Sequence, residues 1–195
     1  MWVSILTSES SVQRSLRRFK PEKHIKRLKL RDRSTLPFLT QMQRPFPKLL
    51  LDTTVYIDEL QGRLPRDVEI SLRLAELWHS TVTEAELTTL AGLLDASNQS
   101  ARQAIQQVLL SIERRPPHRV LNPDRDVWRE AGILSGLLAR LQGYGKAEQR
   151  RLLNDALIFL SAAKHGCSVL TRNITDFDLL MQVAPTGNAV FYDRS

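Results

Sequence analysis

Cysteine is nearly absent: one residue, Cys167, in a chain of 195. An internal disulfide is therefore excluded, as is a zinc site built from the thiolates of one chain. A reducing compartment is the natural setting. Histidine is scarce too, with four residues, and neither His79 nor His118 has the spacing of a metal-binding pair. Only eight glycines are present, and none forms a glycine-rich phosphate loop. No stretch approaches the roughly 18 consecutive apolar residues of a membrane helix. The opening Met1-Trp2-Val3-Ser4-Ile5-Leu6 is too short for the apolar region of a secretion signal, and no small-residue cleavage site follows it. What remains is the expectation of a soluble, cytoplasmic protein.

Charge is present but unevenly placed. Residues 1–48 hold 12 Lys and Arg against 3 Asp and Glu, whereas residues 49–195 hold 16 against 18. The net charge of +7 therefore belongs to a basic N-terminal extension on a slightly acidic domain. Such an extension favours polyanions, RNA or DNA first. Its other reading is a solvated or disordered tail with no dedicated partner. Residues 12–30 allow a short basic helix interrupted at Pro21. Met42 stands ten residues before Asp52, and a start there would leave a compact domain almost without a tail. The length suits one domain with an appendage.

From residue 48 onward apolar runs alternate with helical periodicities. Strands are expected at 49–51, 79–82, 120–121, 167–171 and 189–192. Helices are expected at 54–60, 68–78, 84–94, 101–114, 127–141, 147–165 and 175–183. Thr83 is the expected N-cap of the third helix, with Glu86 at capping-box spacing. Gly143 and Gly166 are expected helix stops. Alternating strands and helices predict an α/β fold with a mainly parallel sheet.

In such a sheet, function collects beyond the C-terminal ends of the strands. Asp52 follows the first strand. Glu86 lies early in the helix after the second. Asp155 interrupts the apolar surface of the longest helix, and Asp176 follows the strand ending near Thr171. Two unit charges ~4 Å apart repel by about 4 kcal/mol at an effective dielectric near 20. Four gathered carboxylates therefore imply a hard divalent counter-ion, Mg²⁺ or Mn²⁺. Such ions activate water and stabilise both oxygens of an in-line phosphodiester displacement. Each acid also has an ordinary reading. Asp52 can simply cap a helix, Glu86 can complete a capping box, and Asp176 can sit in a turn. Glu84 and Asp178 are rivals to Glu86 and Asp176. Asp155 is hardest to explain without a partner or a metal.

Four segments carry a resemblance. Leu50-Leu51-Asp52-Thr53-Thr54, Ser80-Thr81-Val82-Thr83-Glu84-Ala85-Glu86, Asn154-Asp155-Ala156-Leu157-Ile158 and Leu170-Thr171-Arg172-Asn173-Ile174-Thr175-Asp176-Phe177 occur in that order. They resemble the motifs of PIN-domain ribonucleases, most closely the VapC-like toxins of toxin–antitoxin pairs. The resemblance implies a three-layer α/β/α domain and a Mg²⁺- or Mn²⁺-dependent endoribonuclease. Asp52, Glu86, Asp155 and Asp176 would be its catalytic and metal-binding acids. Thr53, Thr171 and Asn173 would orient substrate or ligands; Arg172, the one basic residue within a motif, either binds RNA phosphate or forms a solvent-facing salt bridge. It also implies a homodimer and a cognate antitoxin, with operator DNA reached only through that antitoxin. Two features depart from the pattern: the long basic extension, and Glu84, where the family has an apolar residue. A catalytically inactive PIN-like binding module is the alternative, and nothing in the motifs separates RNA from DNA.

Overall fold

A computed structural model of the chain describes residues 11–95 and 97–194. The apolar start at residues 1–6 lies outside the described residues.

Five strands form one parallel sheet: β1 (Leu49–Leu51), β2 (Leu77–Ser80), β3 (Val120–Leu121), β4 (Ser168–Thr171) and β5 (Asn188–Phe191). Their order is β3-β2-β1-β4-β5. The strands are short and apolar because both faces are covered. Successive side chains point to opposite faces. Leu50, Val169, Ala189 and Phe191 join one core cluster, and Leu49, Leu51, Leu170 and Val190 join the other. The first core is closed by α6 (Arg125–Gln142), α7 (Lys146–Lys164) and α8 (Ile174–Val183). The second takes residues from α2 (Thr53–Leu60), α3 (Arg66–Leu74), α4 (Thr81–Leu93) and α5 (Gln99–Glu113). This is the expected three-layer arrangement. No helix among the described residues is long and apolar enough to cross a membrane.

Two local expectations are corrected. The helical period across residues 68–78 runs too far: α3 stops at Leu74, and Trp78 lies in β2. An extended Ala75 breaks the helix so that Leu77 and Trp78 can pair beside Leu49 and Leu50. The cap of α4 is Ser80, not Thr83. Ser80 accepts from Val82 N at 3.2 Å, so the helix begins at the strand's end. Thr83 is buried and donates to the Leu51 carbonyl at 3.4 Å, tying α4 to β1. Glu86 is thereby released from any capping role.

Residues 11–48 do not hang free. Helix α1 (Ser11–Phe19) packs on α6, where Ser15 and Arg18 both bond Glu130. Phe19, Leu36 and Phe38 enter the first core and Leu39 the second. Phe191 N donates to the Pro37 carbonyl at 2.8 Å, and Phe38 bridges in parallel to Phe191 at the sheet edge. A solvated tail was one reading of this composition. The few apolar residues among the charges are enough to dock it.

Candidate active site

Four elements bring the predicted acids to the C-terminal edge of the sheet. Asp52 is the N-cap of α2, directly after β1. Its Oδ2 accepts from Thr54 Oγ1 at 2.7 Å and from Thr171 Oγ1, at the end of β4, at 2.8 Å. Capping and site geometry are thus served by one carboxylate. Glu86 projects from α4. Thr53 donates its hydroxyl to Glu86 Oε2, and Asn154 Nδ2 donates to Oε1 at 2.7 Å. Asp155 follows Asn154 on α7 and is 8% exposed. Asn173 Nδ2 spans the last two acids, donating to Asp155 at 3.1 Å and Asp176 at 2.9 Å. Asn173 also caps α8, while its own N–H donates to Thr171 at 2.9 Å. Tyr144, between α6 and α7, donates to Asp176 at 3.4 Å.

The electrostatics identify one coupled cluster. Burial raises the pKa of Asp155 well above the usual carboxylate range, and the charges of Asp52, Asp176 and Glu86 raise it further. Asp52 and Glu86 are also raised, chiefly by burial, although their hydrogen bonds to Thr and Asn oppose the shift. Among the described residues, none of the four acids is ion-paired with Lys, Arg or His. Neutral hydroxyls and amides hold them instead. Among the described residues, no group of three or more Asp, Glu, His or Cys side chains is arranged to hold a metal ion as it stands; Asn173 is the side chain that bridges two of the acids, Asp155 and Asp176. The donor set is nonetheless all oxygen and without a cation, with Asp52 and Asp155 buried and Glu86 and Asp176 half-buried, which is the chemistry a hard dication satisfies.

The rival acids lie elsewhere. Glu84 pairs with Arg115 at 3.3 Å, and Asp178 pairs with Arg31 at 2.5 Å. Arg172 is drawn away as well: its Nε donates to Asp58 at 2.8 Å. Thr53, Thr171 and Asn173 all touch the acids, so they orient carboxylates directly. Sequence reasoning assigned no site role to Thr54, Asn154 or Tyr144. The first two stand beside motif acids. Tyr144 carried only the signal of a helix stop, Gly143-Tyr144-Gly145. A cleft of about 710 Å³ is lined by none of the four acids; it is bounded by α2, α3 and α5, with Leu60, Leu72, Leu110 and Arg115 in its wall.

Comparison with known proteins agrees with this architecture. Residues 49–178 match the family model described as PIN domain. The fold is similar to FitAcB from Neisseria gonorrhoeae at 24% identity and a TM-score of 0.54, covering 74% of this chain and 96% of that one. It is similar to VapBC2 from Rickettsia felis bound to a promoter DNA fragment, at 16% identity and a TM-score of 0.53, covering 75% and 99%. DNA-bound VapBC from Salmonella typhimurium gives 21% identity and a TM-score of 0.52, covering 76% and 98%. No curated protein sequence matches the chain. With its motifs in order and the family pattern spanning most of its length, the chain belongs to the PIN domain family.

Proposed function

We propose that this protein is a metal-dependent endoribonuclease, the toxin of a toxin–antitoxin pair acting in the cytoplasm. The observation that carries the reading is the buried Asp155 carboxyl, pressed by three other acids and given no cation of its own. When bound, Mg²⁺ or Mn²⁺ supplies charge stabilisation at the phosphodiester and lowers the pKa of attacking water. Asp52, Glu86, Asp155 and Asp176 would hold it. Thr54 and Thr171 fix the Asp52 carboxylate, Thr53 and Asn154 fix Glu86, and Asn173 sets the spacing of Asp155 and Asp176. Asp155 carries a proton more readily than an ordinary carboxylate and would give it up to hold the cation. Arg172, held by Asp58, stiffens the loop between β4 and α8.

The similar folds include VapBC2 bound to a promoter DNA fragment, DNA-bound VapBC and FitAcB. They support an antitoxin partner here, with operator DNA bound through it; the homodimer rests on the family resemblance alone. The cleft between α2, α3 and α5, which joins Leu60, Leu72 and Leu110 to Glu59, Glu69, Arg73 and Arg115, is the surface we assign to that antitoxin.

The test is cleavage of a single-stranded RNA oligonucleotide by the full chain. Mn²⁺ is expected to support cleavage, EDTA to abolish it, and Asp52→Asn to slow it by about a thousandfold, the loss of several kcal/mol of charge stabilisation. Products are expected to carry 5′-phosphate and 3′-hydroxyl ends. Metal-independent cleavage, or wild-type rates in Asp52→Asn, would overturn the reading. Mn²⁺ binding without cleavage would favour the inactive binding module.

A further inference from the structure

Residues 20–33 lie outside the matched PIN region, yet hydrogen bonds fix them to α6 and α8. Arg140 Nη2 on α6 donates to the carbonyls of Pro21 and His24 at 3.1 and 3.0 Å. Gln142, the last residue of α6 and 9% exposed, accepts from Arg27 Nε at 3.1 Å and donates to the Leu28 carbonyl at 3.2 Å. On α8, Gln182 donates to the Lys29 carbonyl at 3.0 Å, and Asp178 accepts from Arg31 N at 2.9 Å. The segment is thus strung between the end of α6 and α8. Those two elements also frame the outer edge of the site. Tyr144 lies two residues past Gln142 and bonds Asp176, in the first turn of α8. Leu28 and Tyr144 pack against the same core.

What this strap presents is charge. Lys23, Lys26, Arg27 and Lys29 are exposed, and among the described residues none of them is paired with an acid. Arg18, Arg31 and Arg33 nearby are spent on Glu130, Asp178 and Asp193. Arg27 differs in being pinned through Nε alone, so its guanidinium is aimed while no other hydrogen bond to it is present among the described residues. Gln142, which aims it, stands two residues before Tyr144, the residue that bonds Asp176. A polyanion approaching four carboxylates is repelled unless cations flank the entrance. Asp52 and Asp155 are buried, at 2% and 8% exposed.

We propose that the strap at residues 23–29, centred on Arg27, is the rim that binds the backbone of single-stranded RNA and holds a phosphate next to the scissile one beside Tyr144. This rests on the nuclease reading above and adds where the substrate lies. Arg27 binds substrate without touching the reacting atoms, so its effect belongs in KM.

The experiment uses the full chain carrying Asp52→Asn, with fluorescence anisotropy of a labelled single-stranded RNA 12-mer across a KCl series. Adding Arg27→Ala is expected to weaken binding about tenfold and to lower the slope of log K against log salt by about 0.7, one phosphate contact on a single strand. The triple change Lys23→Gln, Lys26→Gln, Lys29→Gln leaves the Gln142 anchor intact and is expected to lower the slope by up to about 2. Arg27→Lys should recover most of the slope. In the active chain, Arg27→Ala should raise KM about tenfold with kcat within twofold. Lys164→Ala removes one charge at the far end of α7, about 27 Å along the helix from its start at Lys146, and should change neither readout. Wild-type affinity and slope in both strap variants would overturn the proposal, as would an equal loss from Lys164→Ala. If the wild-type chain cuts no RNA but the strap variants still lose binding, the nuclease reading falls and the strap stands. Normal cleavage with unchanged binding in the strap variants gives the reverse.

Discussion

Asp52 and Asp58 sit on one helix, six residues apart, both withdrawn from water, and their charges are handled in opposite ways. Asp58 is fully buried, and burial alone would raise its pKa. Hydrogen bonds from Arg194, Tyr192 and Arg172 outweigh that and leave it below the ordinary value. Asp52 receives only hydroxyls and amides, and its pKa stays raised. The same contrast repeats twice. Glu84 has Arg115 while Glu86 has Thr53 and Asn154; Asp178 has Arg31 while Asp176 has Asn173 and Tyr144. A buried acid with a permanent arginine is part of the scaffold. On the proposed reading, an acid left with neutral donors beside three others is held in readiness for a cation that is not part of the chain.

The comparison can be broken most severely at Asp155. Asp155→Asn is expected to cost about a thousandfold in RNA cleavage while circular dichroism and thermal stability are retained. A variant that unfolds would place Asp155 among the scaffold acids. Next in size is Asp58→Asn, which leaves Arg172 and Arg194 facing a neutral group. Breaking a buried pair costs ~3–5 kcal/mol, and the partial exposure of both arginines reduces this to about 2, read as a fall in Tm of roughly 4–8 °C. Glu84 and Glu86 should then separate cleanly. Glu84→Gln is expected to lower stability by about 1 kcal/mol and keep cleavage; Glu86→Gln is expected to do the opposite. Swapped phenotypes would exchange their roles.

The smallest effect is in pH dependence. For Asp155, Asp52 and Glu86 the folded pKa is raised, so the folded state retains protons that the unfolded state has lost. Without metal, stability should therefore decline as pH rises from the ordinary carboxylate range toward neutrality. Asp58 acts in the other sense: its folded pKa is lowered, so its contribution is present above the ordinary range and is lost as pH falls through the folded value. Thermal unfolding in EDTA from pH 4 to 7 should show a decline in the wild type that flattens in Asp155→Asn. An equal decline in both would contradict the assignment.

Much of this was legible in the sequence. Leu49-Leu50-Leu51 reads as a doubly covered strand because both neighbours of a central parallel strand are apolar layers, and an acid after it must lie at the sheet's edge. Asp155 was visible because a carboxylate amid Leu152, Leu153, Leu157 and Ile158 demands compensation. The discrimination of Glu86 from Glu84, or Asp176 from Asp178, was not legible. It depends on Arg115 and Arg31, which are 31 and 147 residues away from the acids they neutralise. The cap of α4 was misplaced because Ser80 and Thr83 are equally able to cap, and only the end of β2 decides between them. Docking of the strap was hidden because composition reports its many charges, whereas Phe19, Leu36, Phe38 and Leu39 determine its path.

The most direct test is a Mn²⁺ titration of the metal-free protein, followed by electron paramagnetic resonance of the free ion, in the wild type and in Asp155→Asn. Saturable binding by the wild type, with a rise in Tm, and its loss in Asp155→Asn is the expected result. Equal binding by both proteins, or none by either, would contradict a shared dication site at Asp52, Glu86, Asp155 and Asp176.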